Sequence, residues 1–226
     1  MNVHRDEELF QSLKSHKIWI ETIGREGKKL AVDEVDFRDI NLADYPLDQA
    51  YITACIFNGM NLVKKDMYAS VICSSTFEHA NLESADFYKA DVSYANFTNA
   101  NLQNARFARS ACIETIFNNA NLSNALLVGA LFNKVDFRNA NLQNVDVSES
   151  TFEKVLLKEA KLEGIRGLDD AFIESINVGS PEQPILFVGK KINDDYKQMP
   201  KIDYEFNFIR VETDIKITRL DFWETN

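Results

Sequence analysis

The sequence predicts an all-β solenoid whose chain winds into a stack of four-sided coils, that is, a quadrilateral parallel β-helix. Two observations predict it. An apolar residue recurs at every fifth position through the middle of the chain, and the type of that residue recurs at every twentieth position. A helix would repeat its apolar residues at about 3.6 positions and a strand at 2, so neither fits. A repeat of this kind decides the fold before local propensity does.

The five-residue period runs without insertion from Val32 to Leu162, and a step of twenty sorts its apolar positions into four columns. The Phe column consists of Phe37, Phe57, Phe77, Phe97, Phe117 and Phe137. The Leu column consists of Leu42, Leu62, Leu82, Leu102, Leu122, Leu142 and Leu162. The third column consists of Leu47, Met67, Phe87, Phe107, Leu127 and Val147. The fourth column consists of Val32, Ile52, Ile72, Val92, Cys112, Phe132 and Phe152.

A square coil accounts for both periods, because each block of five forms one side and four sides close one turn. Stacking the turns then places like residues above like and satisfies the backbone groups between neighbouring coils. The residue two before each apolar centre is usually small, so we expect both to point inward and the other positions to face solvent. The solenoid is expected to have about 6.5–7 coils, and at about 4.8 Å between strands the roughly 6.5 turns from Val32 to Leu162 form a tower roughly 31 Å tall.

The blocks ANLES, ANLQN, ANLSN and ADFYK, which begin at Ala80, Ala100, Ala120 and Ala85, resemble the pentapeptide-repeat family and its A(D/N)LXX pattern. The resemblance covers the middle of the chain and implies a right-handed quadrilateral β-helix. Some members bind DNA gyrase and related topoisomerases by imitating DNA, and some of these protect against quinolones. For most members, however, the resemblance supplies a fold and no partner.

Three regions follow from these patterns. Residues 1–29 are predicted to form an α-helical cap, because apolar residues recur at helical spacing until Gly24 and Gly27. Residues 30–164 form the repeat. Residues 165–226 are predicted to be a C-terminal cap and an α/β, strand-rich tail, with a short capping helix within 166–176 and a strand at 185–188.

The composition narrows the classes of function. The formal charge is −10, so direct binding to nucleic acid or to an anionic membrane is not expected. No apolar run is long enough to span a bilayer, and the beginning of the sequence lacks the apolar core of a signal peptide. Cys55, Cys73 and Cys112 form no CxxC pair, which favours reduced thiols in a cytoplasmic protein. No motif for a catalytic group, a metal or a cofactor appears, so we predict a protein that is not an enzyme.

The third and fourth columns share a corner around which the outward positions are apolar or aromatic. We call these residues the stripe and predict that it is an interaction surface: Tyr51, Tyr68, Val71, Tyr88, Tyr94, Ile113, Leu126, Val128 and Leu131. A stripe of this size is normally covered. Three coverings remain open at this stage: the tail, through residues such as Tyr204 and Phe206, a second copy in a homodimer, or a separate protein.

The leading prediction is therefore a non-enzymatic scaffold that binds an unknown protein partner. The alternative is a DNA mimic that binds DNA gyrase or another topoisomerase. Imitation of a 31 Å duplex needs about 18 negative charges, whereas residues 30–164 contain 18 acidic and 11 basic residues and therefore carry a net −7. Two further expectations concern packing: stacked asparagines such as Asn101 should form amide ladders, and Asn99 should be a surface position where alanine is tolerated.

Overall fold

The computed structural model describes residues 3–179 and 185–188. Within them the chain forms helix α1 and then a parallel β-solenoid of about seven turns, whose core is one continuous cluster along the axis. Helix α1 spans Val3–Glu21. The strands are short: β1 Ala31–Asp33, β2 Tyr51–Thr53, β3 Ala111–Ile113, β4 Leu131–Asn133, β5 Thr151–Glu153, β6 Val155–Leu156, β7 Phe172–Ile173, β8 Ser175–Asn177 and β9 Leu186–Val188.

Helix α1 packs on the first coil through Leu13, which is fully buried in the common core. His16 is also fully buried. Its Nδ1 accepts the Leu30 N–H at 3.0 Å, and its Nε2 lies 3.1 Å from the Asp48 carbonyl. Since a carbonyl can only accept, Nε2 carries the proton and the ring is neutral. His16 therefore joins the helix to both ends of the first coil.

The five-residue period is explained by one repeated corner. At a typical corner the N–H of Ala80 donates to the Phe77 carbonyl at 3.0 Å, and the intervening His79 has a φ of 58°. A positive φ at the third residue of a four-residue turn is the feature of type II turns. Among the described residues, every non-glycine residue with positive φ lies at such a corner, except Ile23. Six corners carry asparagine: Asn99, Asn104, Asn119, Asn124, Asn139 and Asn144.

The corner at Asn99 bears on one expectation. Its φ is 59°, a left-handed conformation that asparagine tolerates better than alanine does. A cost of about 1 kcal/mol is therefore expected for alanine here, more than exposure alone suggests. The exposure of Asn99 indicates that its side chain contributes little to packing. The five-residue period does not indicate that its backbone has a positive φ.

The inward columns are confirmed. The Phe column is buried along its whole length, and successive rings stack with centroids 4.7–5.1 Å apart. Rings of the third column meet this stack edge-on, as Phe87 does against Phe97 at 5.7 Å and 87°. Both Cys55 and Cys112 point inward and are fully buried. Only the ends differ, because Val32 and Leu162 are half-buried.

Parallel pairing follows the twenty-residue step, with β1 on β2 and β3 on β4 on β5. Between the named strands, single parallel bridges keep the same register, as in Asn81 with Asn101. The fourth side is more strand-like than the others, since the small position after it is Val, Thr or Cys at 55, 115, 135 and 155. At those corners the turn bond to the preceding apolar centre is absent.

Parallel pairing continues beyond residue 164. Strand β7 pairs with β5, Phe172 opposite Thr151, which is a step of twenty-one residues instead of twenty. The extra residue falls in a single 3-10 turn, Leu168–Asp170, so the expected capping helix is reduced to three residues. A Cβ at Gly167 would lie 2.5 Å from the Ser148 backbone nitrogen, which explains the glycine. Strand β9 then pairs antiparallel with β8, and the predicted strand at 185–188 is confirmed.

Candidate interaction surface

All nine stripe residues lie at outward or corner positions, and none is buried. The structure divides them into two groups. We call Ile113, Leu126, Val128 and Leu131 the upper cluster, and Tyr51, Val71, Tyr68 and Tyr88 the lower cluster. Tyr94 belongs to neither, because it occupies the corner between the fourth side and the Phe side, where its φ is 62°.

The upper cluster surrounds the corner between the third and fourth sides. Leu126, Val128 and Leu131 belong to one coil, and their corner residue is Gly129. Leu131 pairs with Ala111 of the coil before, which places Ile113 beside the group. Leu126 and Leu131 are 40% and 39% exposed. Four apolar side chains thus occupy adjoining positions on two sides of the solenoid.

The lower cluster is aromatic and partly covered by cations. The rings of Tyr68 and Tyr88 lie 5.8 Å apart. The Arg106 guanidinium lies 4.6 Å from the centroid of Tyr88, and the Lys29 ammonium lies 4.6 Å from that of Tyr51. These cation–π contacts cover part of the ring faces of Tyr51 and Tyr88. The lower cluster is therefore a less open apolar surface than the upper one.

Charged residues separate the two clusters. Arg106 pairs with Asp86 on the third side, and Asp91 occupies the fourth side between Val71 and Ala111. The corner column contributes the exposed Lys89 and Arg109. Sequence reasoning placed the nine residues on one stripe; between the two clusters the third side carries only the small Ala108, flanked by these charged residues.

Sequence reasoning also missed apolar residues on the other two sides. Ile116 on the Phe side is 37% exposed, and Val63 on the Leu side is 38% exposed. The signal was present, because each stands at an outward position of its block. Both are isolated among polar neighbours, so they do not extend the upper cluster.

The Leu side is a polar wall held by an amide ladder. Asn101 donates its Nδ2 to the Asn81 Oδ1 at 3.0 Å, and Asn121 and Asn141 continue the series at 3.3 and 3.1 Å. Each Oδ1 also accepts the backbone N–H two residues on, as Asn101 does from Gln103 at 3.3 Å. The predicted ladder is confirmed, and it has a structural role because its amides are already engaged.

Among residues 3–179 and 185–188, the three cysteines and His16 do not form a reactive centre. Burial raises the pKa of the Cys112 thiol to about 12 and that of Cys55 to about 11. Burial also raises the pKa of the outward Cys73 to about 11, assisted by Asp91. Thiols with these values are poor nucleophiles at neutral pH. Burial lowers the pKa of His16, although Asp48 opposes the shift.

Among the described residues, no group of three or more His, Cys, Asp or Glu is placed to hold a metal ion. None of the helices there is long and apolar enough to cross a membrane.

Comparison with known proteins gives consistent results for the repeat. The family described as a pentapeptide repeat region matches residues 91–166, and the family of pentapeptide repeats, in eight copies, matches residues 66–104. No curated protein matches the chain significantly.

Similar solved structures include HetL, a pentapeptide repeat protein of heterocyst differentiation regulation from the cyanobacterium Nostoc, at 17% identity and a TM-score of 0.45, covering 66% of this chain and 86% of HetL. QnrB1, a plasmid-mediated fluoroquinolone resistance protein, matches at 15% identity and a TM-score of 0.43, covering 64% of this chain and 77% of QnrB1. A pentapeptide repeat protein from the Arabidopsis thaliana thylakoid lumen matches at 24% identity and a TM-score of 0.36, covering 46% of this chain and 69% of that chain.

The fold of the described residues defines a class: a four-sided parallel β-solenoid whose axis is filled by side chains. The repeats themselves give a narrower classification, because residues 66–166 match two pentapeptide-repeat family models. This part of the chain is a pentapeptide-repeat region.

Proposed function

We propose that the protein is a non-enzymatic scaffold that binds another protein through the upper cluster. The observation that carries the proposal is the grouping of Ile113, Leu126, Val128 and Leu131 around one corner, outward and partly exposed. Contiguous apolar groups on an otherwise polar surface are typical of protein contact sites. The axis is filled by side chains of the four columns, which supports a role for the outer sides rather than an internal cavity.

The backbone under the cluster supports recognition without rearrangement. Strand β4 is paired on both sides, with β3 and β5, and the Arg109 N–H donates to the Val128 carbonyl at 2.8 Å. A surface fixed in this way loses little conformational entropy when it binds. We also propose a cytoplasmic location, because three unpaired cysteines suit a reducing compartment.

The other coverings of the surface remain proposals of lower rank. A homodimer would use the same cluster in a two-fold contact. The tail residues Tyr204 and Phe206, which were predicted to be able to cover the stripe, lie outside the described residues. DNA mimicry of the gyrase-binding kind has less support, because acidic side chains form ion pairs with basic side chains. Glu114 pairs with Lys134 at 2.7 Å, and Asp136 pairs with Arg138 at 2.6 Å. Charge paired in this way does not form the continuous negative rows of a duplex.

The test uses a matched pair of double variants. Leu126→Lys with Leu131→Lys places two cations in the upper cluster, where each residue is about two-fifths exposed. Gln103→Lys with Gln143→Lys adds the same charge at half-buried outward positions of the Leu side. Each tagged protein is used to capture partners from a bacterial lysate, and its own mass is measured by analytical ultracentrifugation.

We expect the native chain and the Leu-side variant to capture the same partner, and the cluster variant to lose it while its circular dichroism spectrum is unchanged. Conversion of a native dimer to a monomer by the cluster variant alone would assign the surface to self-association. Recovery of gyrase subunits by the native chain would favour the topoisomerase alternative. Equal capture by all three proteins contradicts the proposal.

A further inference from the structure

The first and second coils are separated along one side. In the next pair of coils the N–H of Asn81 donates to the Met60 carbonyl at 2.9 Å, and the N–H of Leu62 donates to the Asn81 carbonyl at 2.7 Å. The equivalent bonds one coil earlier, from Asn61 to Ile40 and from Leu42 to Asn61, are absent among the described residues. We call the opening between residues 39–47 and 59–67 the seam.

The opening extends around the following corner. The N–H of Asp86 donates to the Lys65 carbonyl at 3.0 Å, whereas the equivalent N–H of Asp66 has no backbone acceptor. Pairing resumes at Gln49, whose N–H donates to the Tyr68 carbonyl at 2.6 Å. Residues 39 and 44 also lack the positive φ that the other corners of these two columns have.

Large side chains in a small column explain the seam. The column that holds alanine at 85, 105 and 125 holds Tyr45 and Lys65 in the first two coils. The Lys65 ammonium ends between the coils, where it donates to the Leu42 carbonyl at 2.6 Å and the Tyr45 carbonyl at 3.2 Å. Burial lowers the pKa of this lysine, although Asp44 and Asp66 oppose the shift. The aliphatic part of Lys65 thus lies between the first and second coils, in the space that hydrogen-bonded coils would need.

The result is a groove of about 620 Å³, within the usual range of ligand clefts. Its charged lining residues are Arg38, Lys64 and Lys65, all basic, in a chain of net charge −10. Arg38 is paired with Asp36 at 2.6 Å. Lys64 is exposed and forms no ion pair among the described residues. One wall of the groove is the backbone edge of the second coil from Gly59 to Lys65, where the N–H of Asn61 has no acceptor among the described residues.

We propose that the seam is a second docking site, which binds an extended acidic segment of a partner protein by pairing with the free edge of the second coil. A free backbone edge accepts an extended peptide as an added strand, with main-chain bonds for affinity. Lys64, which is exposed and forms no ion pair among the described residues, then favours acidic side chains. This site is independent of the upper cluster, so either proposal can fail without the other.

The first experiment compares two labelled octapeptides by fluorescence anisotropy with the full chain. One alternates glutamate with valine, and the other alternates lysine with valine. The net charge of −10 alone favours the basic peptide, so preference for the acidic one reports the local site. We expect the acidic peptide to bind and the basic one to bind at least about tenfold more weakly. Equal binding, or preference for the basic peptide, overturns the proposal.

Two corner lysines provide a matched control. Lys64 in the groove and Lys89 outside it are both exposed, with φ values of 56° and 59°. Lys64→Glu should weaken binding of the acidic peptide about fivefold, and Lys89→Glu should change it less than about twofold. Equal effects of the two variants would show that the peptide responds to the overall charge of the protein, and this would contradict a docking site at the seam.

Hydrogen exchange tests the pairing itself. The Asn61 amide should exchange faster than the Asn81 amide in the free protein, and the acidic peptide should slow Asn61 by about tenfold or more. Lys65→Ala should close the seam, which protects Asn61 without peptide and abolishes peptide binding. Peptide binding that leaves the Asn61 amide unchanged, or a Lys65→Ala variant that binds as the native chain does, overturns the proposal.

Discussion

Replacing Phe97 by alanine should lower the free energy of unfolding by about 4–5 kcal/mol, the upper part of the range for buried phenylalanine. The ring is fully buried. It stacks between Phe77 and Phe117 with centroids 4.9 and 5.1 Å away, and it meets Phe87 and Phe107 edge-on at 5.7 and 6.0 Å. Each aromatic pair adds about 0.5–1.5 kcal/mol to the burial of area.

The cavity left by this substitution cannot collapse easily. The Phe97 N–H donates to the Ile116 carbonyl at 2.7 Å and the Asn96 N–H donates to the Ser75 carbonyl at 3.0 Å, so both neighbouring coils hold the backbone in place. Cost rises with the volume that remains unfilled. Because the coils fix the spacing of the stack, relaxation should recover little of the loss.

The assay is urea unfolding followed by circular dichroism, with two comparison variants. Gln103→Ala, at a half-buried outward position, should cost about 0.5 kcal/mol or less. Asn99→Ala should cost about 1 kcal/mol because of its left-handed φ, whereas Asn99→Gly should be close to neutral. If Phe97→Ala costs no more than Asn99→Ala, the inward stacking of this column is refuted. If alanine and glycine are equivalent at position 99, the account of the corners is refuted.

Three further predictions concern the cap and the amide ladder. The contribution of His16 to stability should be fully present above about pH 6.5 and fall below it, because burial lowers the pKa of His16 and the unfolded chain then binds the proton more tightly; His16→Gln should flatten this part of a stability–pH curve, and an unchanged curve would contradict the account. Ile23, 84% exposed with a φ of 54° at the end of α1, should gain about 1 kcal/mol when replaced by glycine, measured by thermal unfolding; an unchanged or lower Tm would contradict this. Asn121→Ala should cost about 1–2 kcal/mol in urea because it breaks two ladder bonds, and a cost like that of Gln103→Ala would show that the ladder is not stabilising.

The five-residue period predicted the inward columns because burial on a narrow axis imposes the same requirement at every turn. The side chain at position 97 must fill the axis whatever its neighbours are. Its inward orientation could therefore be predicted from this sequence alone. The conformation at Asn99 was missed because five-residue spacing locates a corner without giving its φ. The division of the stripe was missed because it depends on Arg106 reaching across to Asp86 and Tyr88, a contact between successive coils.

Departures from the repeat were visible in the sequence, but their consequences depended on packing in three dimensions. Lys65 replaces a small residue, and its stem keeps six ladder bonds of the regular coils from forming beside it. The segment after Gly167 adds one residue and ends the twenty-residue step. At both places backbone groups that the regular repeat would pair internally are given other partners or left free. In a solenoid whose regular turns pair their own backbone groups, capacity to bind an extended strand is therefore expected where the repeat is broken, and at the seam the exposed Lys64 supplies the charge for recognition.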